Sequence, residues 1–216
     1  MRPERFADRY EAGQELAGAL SRYAHRPDVW VLGLPRGGVP VAYEVARALS
    51  VPLDVLVVRK LGAPRHEELA VGAIGPGGVR VLNQELVQHL GVGPEELEPI
   101  ERRERAELER RQQAYRGQRS FPDLAGKTVI LVDDGLATGA TMRAAALAAR
   151  AMHPARVVVA VPVASPDTCE ALLEVADEVV ALLQPEPFQA VSLWYEHFSQ
   201  TSDEEVQDLL RRYGKD

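Results

Sequence analysis

Four apolar residues in a row, Val129 to Val132, stand out because no polar position alternates with them. An unbroken aliphatic run of this kind marks a central parallel strand buried on both faces. Comparable runs predict strands over residues 29–34, 53–58, 156–163 and 178–183. Helical spacing appears between them, over 39–49, over 142–152 and from Pro166 onward. Ahead of the first strand, Phe6, Tyr10, Leu16, Leu20 and Tyr23 recur near the helical period and predict an amphipathic helix over 6–24. Strands alternating with helices imply an α/β protein with a mainly parallel central sheet and right-handed crossovers.

The pattern loosens after Lys60. Short β segments at 70–74 and 79–82 flank Gly75-Pro76-Gly77-Gly78 and predict a hairpin. A polar helix over 94–116 follows. Its Glu98, Glu101 and Glu107 each stand four residues before an arginine, the favoured order for helical ion pairs. Its apolar positions, Leu97, Ile100, Leu108 and Tyr115, are few and suit a contact with a second subunit, so a homodimer is expected. The chain is therefore expected to be one domain over 1–216: a core of about 27–183, an insertion of about 61–126, and a small C-terminal hood of about 184–216. In the hood, Phe188, Trp194, Tyr195 and Phe198 gather in a polar tail. Ser202 then starts a helix with Val206, Leu209, Leu210 and Tyr213 on its apolar face.

Composition narrows the function. A chain of 216 residues that is 46% hydrophobic can bury one good core. The net charge of -7 argues against a general nucleic-acid binder, and the arginines of the 94–116 helix are largely cancelled by their own glutamates. One cysteine, Cys169, excludes an internal disulfide and a cysteine-rich zinc site. The histidines show no metal-ligand spacing. The first residues hold no apolar signal core and no run approaches membrane-spanning length, so a cytoplasmic protein without membrane contact is expected.

The chemistry concentrates after the 129–132 strand. Asp133 and Asp134 are followed by Gly135, Leu136, Ala137, Thr138, Gly139, Ala140 and Thr141, and then by a helix. Backbone N–H groups at the helix N-terminus, with the positive end of its dipole, suit a phosphate. Adjacent carboxylates accept hydrogen bonds from vicinal hydroxyls or hold the waters of a Mg²⁺. A phosphorylated sugar with a free diol fits the whole segment; a plain strand-to-helix turn would need neither the second acid nor the two threonines. Earlier, the 29–34 strand runs into Pro35-Arg36-Gly37-Gly38, where glycine admits a ligand close to the backbone and Arg36 suits phosphate oxygens.

The segment VILVDDGLATGATM resembles the phosphoribosyl-pyrophosphate (PRPP) signature of type I phosphoribosyltransferases. The resemblance implies that Asp133 and Asp134 bind the ribose hydroxyls, and Mg²⁺ through water, and are counted catalytic together with Lys60. It places the 5′-phosphate on Gly135, Leu136, Ala137, Thr138, Gly139, Ala140 and Thr141. It assigns the pyrophosphate to Arg36, Gly37 and Lys60. The activity implied is transfer of the 5-phosphoribosyl group from Mg²⁺–PRPP to a small nitrogen-containing acceptor, with release of pyrophosphate. The segment after Lys60, with His66, Glu67 and Glu68, takes the place of the family's mobile loop. Members acting on 6-oxopurines usually carry an Asp where this chain has Ala137, so another acceptor is expected. Trp194 is the candidate aromatic wall for that acceptor, although the hood aromatics could equally pin the tail to the core. The other readings are a PRPP-sensing protein of the same fold and, less compatible with the placement of the acids, a phosphorelay receiver.

Overall fold

The computed structural model describes residues 4–214. Five parallel strands form the central sheet: β1 (Val29–Gly33), β2 (Leu53–Val55), β6 (Thr128–Val132), β7 (Arg156–Val163) and β8 (Glu178–Leu183). Their order is β2-β1-β6-β7-β8, with Val29 paired to Thr128 and Gly33 to Val132. A separate antiparallel sheet, β3-β4-β5, comprises β3 (Arg59–Ala63), β4 (His66–Ile74) and β5 (Arg80–Leu82). The helices are α1 (Arg9–Ala19), α2 (Gly38–Leu49), α3 (Gln84–His89), α4 (Pro94–Arg116), α5 (Ala140–Arg150), α6 (Pro166–Leu172) and α7 (Asp203–Tyr213).

The absence of alternation in the strands has the expected cause. On one face Val31, Ile130, Val132 and Val158 pack with α1, α2 and α7. On the other, Leu32, Val129, Leu131 and Val159 pack with α5 and α6. A strand covered on both sides has no polar face to show.

Several boundaries depart from the sequence pattern. The first helix begins only at Arg9, because the Asp8 carboxylate caps it by accepting from the Glu11 N–H at 2.9 Å. Phe6 is left outside and donates its N–H to Trp194 O at 2.9 Å, tying the chain start to the hood. The expected 53–58 strand divides: pairing with β1 ends at Val55, and Arg59 and Lys60 already belong to β3. The hairpin around 75–78 forms, but β4 is nine residues long and takes up His66, Glu67 and Glu68. The short α3 is capped by Asn83, whose side chain accepts from the Leu86 N–H at 3.1 Å.

Helix α4 spans 94–116 as the spacing predicts. Two of its ion pairs form, Arg102 with Glu98 at 2.7 Å and Arg111 with Glu107 at 2.9 Å. The third does not: Glu101 takes Arg80 at 2.8 Å, and Arg105 donates to Gly75 O and Val79 O at 2.8 and 3.1 Å. Leu97, Leu108 and Tyr115 are buried and Ile100 packs against the same core, so the helix uses its apolar positions within its own chain.

The helix is pinned at its end. Arg116 donates from Nε to Asp54 Oδ1 at 2.8 Å and from Nη2 to Oδ2 at 2.9 Å, and also reaches Arg119 O and Ser120 O, each at 2.8 Å. Both side chains are buried. This fork joins the insertion to the edge of the central sheet. Among the described residues no helix is long and apolar enough to cross a membrane.

Candidate functional site

Strands β1 and β6 are neighbours, and their carboxyl ends carry the two loops that bear the candidate chemistry. Crevices at such ends are where open parallel sheets bind ligands. The Pro35–Arg36 peptide is cis, and Gly37 and Gly38 then enter α2. Neither glycine can be exchanged freely. A Cβ on Gly37 would fall inside contact distance of Asp134 Oδ2, and one on Gly38 would lie 2.6 Å from Val132 O. The first loop is thus packed directly against the paired acids of the second. Gly37→Ala is expected to displace the Asp134 carboxylate and so weaken the PRPP binding proposed below by about tenfold, a loss of one charge-assisted hydrogen bond. Calorimetry on the folded variant checks it.

Asp133 and Asp134 are both partly buried. Asp133 Oδ1 accepts the Asp134 N–H at 2.8 Å. Burial, with the neighbouring Asp134 charge second, holds the Asp133 carboxyl well above the usual carboxylate range. Burial raises Asp134 too, opposed by Arg9, whose Nε lies 3.0 Å from Asp134 Oδ2. A bound cation or a pair of donating hydroxyls would favour the charged forms of both acids.

The loop beyond them presents donors that the described residues leave free. Leu136 is buried and its N–H donates to Val163 O at 2.9 Å, anchoring the loop to β7. Ala137, Thr138, Ala140 and Thr141 are exposed. Among the described residues no protein acceptor takes the N–H groups of Ala137, Thr138 or Gly139. Gly139 caps α5 at φ 76°, a left-handed conformation that favours glycine. Thr168 braces the loop from α6, its hydroxyl donating to Ala137 O at 2.7 Å.

Arg36 lies 3.8 Å from Asp203 at the start of α7, and Tyr115 donates to the same carboxylate at 2.7 Å. Burial, helped by that bond, pushes the Tyr115 hydroxyl up to about 12. Lys60 sits in β3 rather than at the end of a core strand, and it lines a cleft of about 740 Å³. Leu34, Pro35 and Thr141 border this cleft from the two loops, and Arg59, Arg65, Arg103 and Arg111 outnumber Glu67, Glu96 and Glu104 in its lining. It opens beside Pro35, the residue before Arg36.

Trp194 is half-buried, packs against the main core and donates its indole N–H to Phe188 O at 3.1 Å. The hood residues that reach the acids are others. Tyr195 donates its hydroxyl to Asp134 O at 2.6 Å, and Val191 stands where a Cβ on Gly135 would be. Arg9 and Thr168 gave no signal in the sequence and Tyr195 only as one of the hood aromatics, since each meets the loop only through the fold.

Two carboxylates suit a Mg²⁺ carried largely by phosphate and water oxygens. Among the described residues no group of three or more acids, histidines or cysteines could cage a metal.

Residues 5–191 match the family model of the phosphoribosyl transferase domain. The chain belongs to the phosphoribosyl transferase family, and its fold is that of the type I enzymes. It is 48% identical over 211 residues, 98% of its length, to a protein of Mycobacterium tuberculosis provisionally named a phosphoribosyl transferase. It spans about half the length of the curated relatives it matches, 47% of that protein. The crystal structure of TT1426 from Thermus thermophilus superposes with a TM-score of 0.89 at 46% identity, over 97% of this chain and 99% of that one. AQ2163 from Aquifex aeolicus, at 12% identity and a TM-score of 0.51 over 94% of this chain and 84% of that one, shares the fold.

Proposed function

We propose that the protein transfers the 5-phosphoribosyl group of Mg²⁺–PRPP to a small nitrogen acceptor other than a 6-oxopurine, releasing pyrophosphate. One observation supports this reading: adjacent strands pack the Gly37–Gly38 turn directly against Asp133 and Asp134, at the head of the loop from Gly135 to Thr141. The 5′-phosphate lies on the loop from Gly135 to Thr141 and accepts from the N–H groups of Ala137, Thr138 and Gly139, which have no protein acceptor among the described residues, and from the Thr138 and Thr141 hydroxyls. Asp133 and Asp134 accept from the two ribose hydroxyls. Arg36, Gly37 and Lys60 face the pyrophosphate, with Lys60 reaching it from the insertion. Bound Mg²⁺ would neutralise charge on the departing pyrophosphate, its waters held by Asp133 and Asp134.

Holding the sugar at both ends fixes the anomeric carbon between the leaving pyrophosphate and an incoming nitrogen, which supplies most of the advantage available from alignment. As the C–O bond to pyrophosphate breaks and the C–N bond forms, positive charge gathers on the ring. The carboxylates below it and the cations around the leaving group stabilise opposite ends of that separation. The hood, about residues 184–216, stands next to the acids through Tyr195 and covers the acceptor, while Trp194 packs against the core. A single domain over residues 1–216, a cytoplasmic location and a homodimer complete the proposal; light scattering tests the dimer.

Ala137 offers no carboxylate at the place where a purine ring nitrogen would exchange its proton. General acid–base help is typically worth ~10²–10⁴-fold. A steady-state assay with PRPP, Mg²⁺ and a panel of bases is therefore expected to show little or no turnover of hypoxanthine, guanine and xanthine. Efficient use of any of these three overturns the acceptor class. Failure of every nitrogen acceptor to release pyrophosphate from bound PRPP overturns the transfer reaction.

A further inference from the structure

Arg9 lies 125 residues before Asp134, yet it is the cation nearest to the proposed diol site. Its guanidinium is held from three directions. Nε donates to Asp134 Oδ2 at 3.0 Å, Nη1 donates to Ser199 O at 2.6 Å, and the plane lies over the Phe198 ring at 4.1 Å from the centroid. Phe198 stacks on Tyr195 with centroids 4.9 Å apart, and the Tyr195 hydroxyl returns to Asp134 O at 2.6 Å. The contacts close a ring: Arg9, Asp134, Tyr195, Phe198 and back to Arg9. Both side chains of the ion pair are largely buried, with 11% and 15% of their surface exposed.

We propose that Arg9 is a positioning residue, which holds the Asp134 carboxylate in the one orientation that accepts a ribose hydroxyl. The proposal rests on the diol reading of the site given above. The carboxylate would otherwise turn about its side-chain torsions. Arg9 takes Oδ2 and leaves Oδ1 to the ligand. A fork fixed at two nitrogens and stacked on a ring can hold that orientation, whereas a flexible ammonium cannot hold it equally well. The chain start and the hood thereby act on the sugar without touching it.

The test separates orientation from general damage by asking for hydroxyl discrimination. Calorimetry is run with ribose 5-phosphate, 2-deoxyribose 5-phosphate and 3-deoxyribose 5-phosphate on wild-type protein, Arg9→Gln and Arg9→Lys. Wild-type protein is expected to prefer ribose 5-phosphate over each deoxy sugar by about tenfold, the worth of one hydrogen bond to a charged group. In Arg9→Gln the preference against the deoxy sugar that lacks the hydroxyl facing Asp134 should fall to about twofold or less, while the other is kept. Arg9→Lys should lie between them. Equal weakening toward all three sugars, or unchanged discrimination in Arg9→Gln, overturns the role of Arg9. If Arg9→Gln does not fold, unchanged or uniformly weakened discrimination in Arg9→Lys does the same. Wild-type protein with no preference for ribose 5-phosphate overturns the diol reading itself, and the inference with it.

Discussion

Replacing both Asp133 and Asp134 with Asn is expected to reduce the affinity for Mg²⁺–PRPP by at least about 100-fold. Hydrogen bonds to charged groups are worth roughly 1.5–3 kcal/mol each, so losing two corresponds to about 10²–10⁴ in affinity. Amides keep the shape but present one acceptor oxygen each and no charge for the metal's waters. The fold should survive. Both acids are held above the usual carboxylate range by burial, so neutral side chains remove a desolvation cost rather than add one. The double variant should therefore stay folded while binding fails, the desolvation relieved at the two acids offsetting the charge lost opposite Arg9. Calorimetric titration with PRPP beside a thermal melt measures both; wild-type affinity in a folded variant removes the acids from the site.

The second large effect is on stability. Arg116→Met strands the Asp54 carboxylate, which is buried and receives both arms of the guanidinium together with the Val55 N–H at 2.7 Å. Removing one partner of a buried pair typically costs about 3–5 kcal/mol, because the other is left uncompensated. For a chain of this size the melting temperature should fall on the order of 10 °C. Adding Asp54→Leu should recover part of that loss, since no buried charge is then left alone. The recovery is incomplete: Arg116 also satisfies Arg119 O and Ser120 O, which the double variant leaves to solvent. A double-mutant thermal melt decides, and strictly additive losses would show that the pair is not coupled.

What could be read in advance followed sequence distance. The β6 strand, the acid pair, the phosphate loop and the start of α5 are contiguous, so one stretch of chain spells out their pattern. The 29–38 segment was legible for the same reason. The α4 ion pairs were visible because they are set by helical spacing, and the one that changed partners did so under a tertiary demand. Arg105 was needed by the carbonyls of Gly75 and Val79, and Arg80 stood ready for Glu101. Strand β3 was missed because Arg-Lys-Leu-Gly-Ala has no clear alternation, and its pairing with β4 shifts register at Leu61 and Gly62. Arg9, Tyr195, Thr168 and the Asp54–Arg116 fork depend on segments 31 to 125 residues apart meeting in space. No local pattern writes that down.

The most direct measurement is a calorimetric titration of the wild-type protein with PRPP, in the presence of Mg²⁺ and again in excess chelator. Binding at one site, weakened when the Mg²⁺ is withdrawn and blocked by ribose 5-phosphate, is the predicted result. Absence of any PRPP binding in Mg²⁺, from protein whose thermal melt shows it folded, would contradict the site built on Asp133 and Asp134.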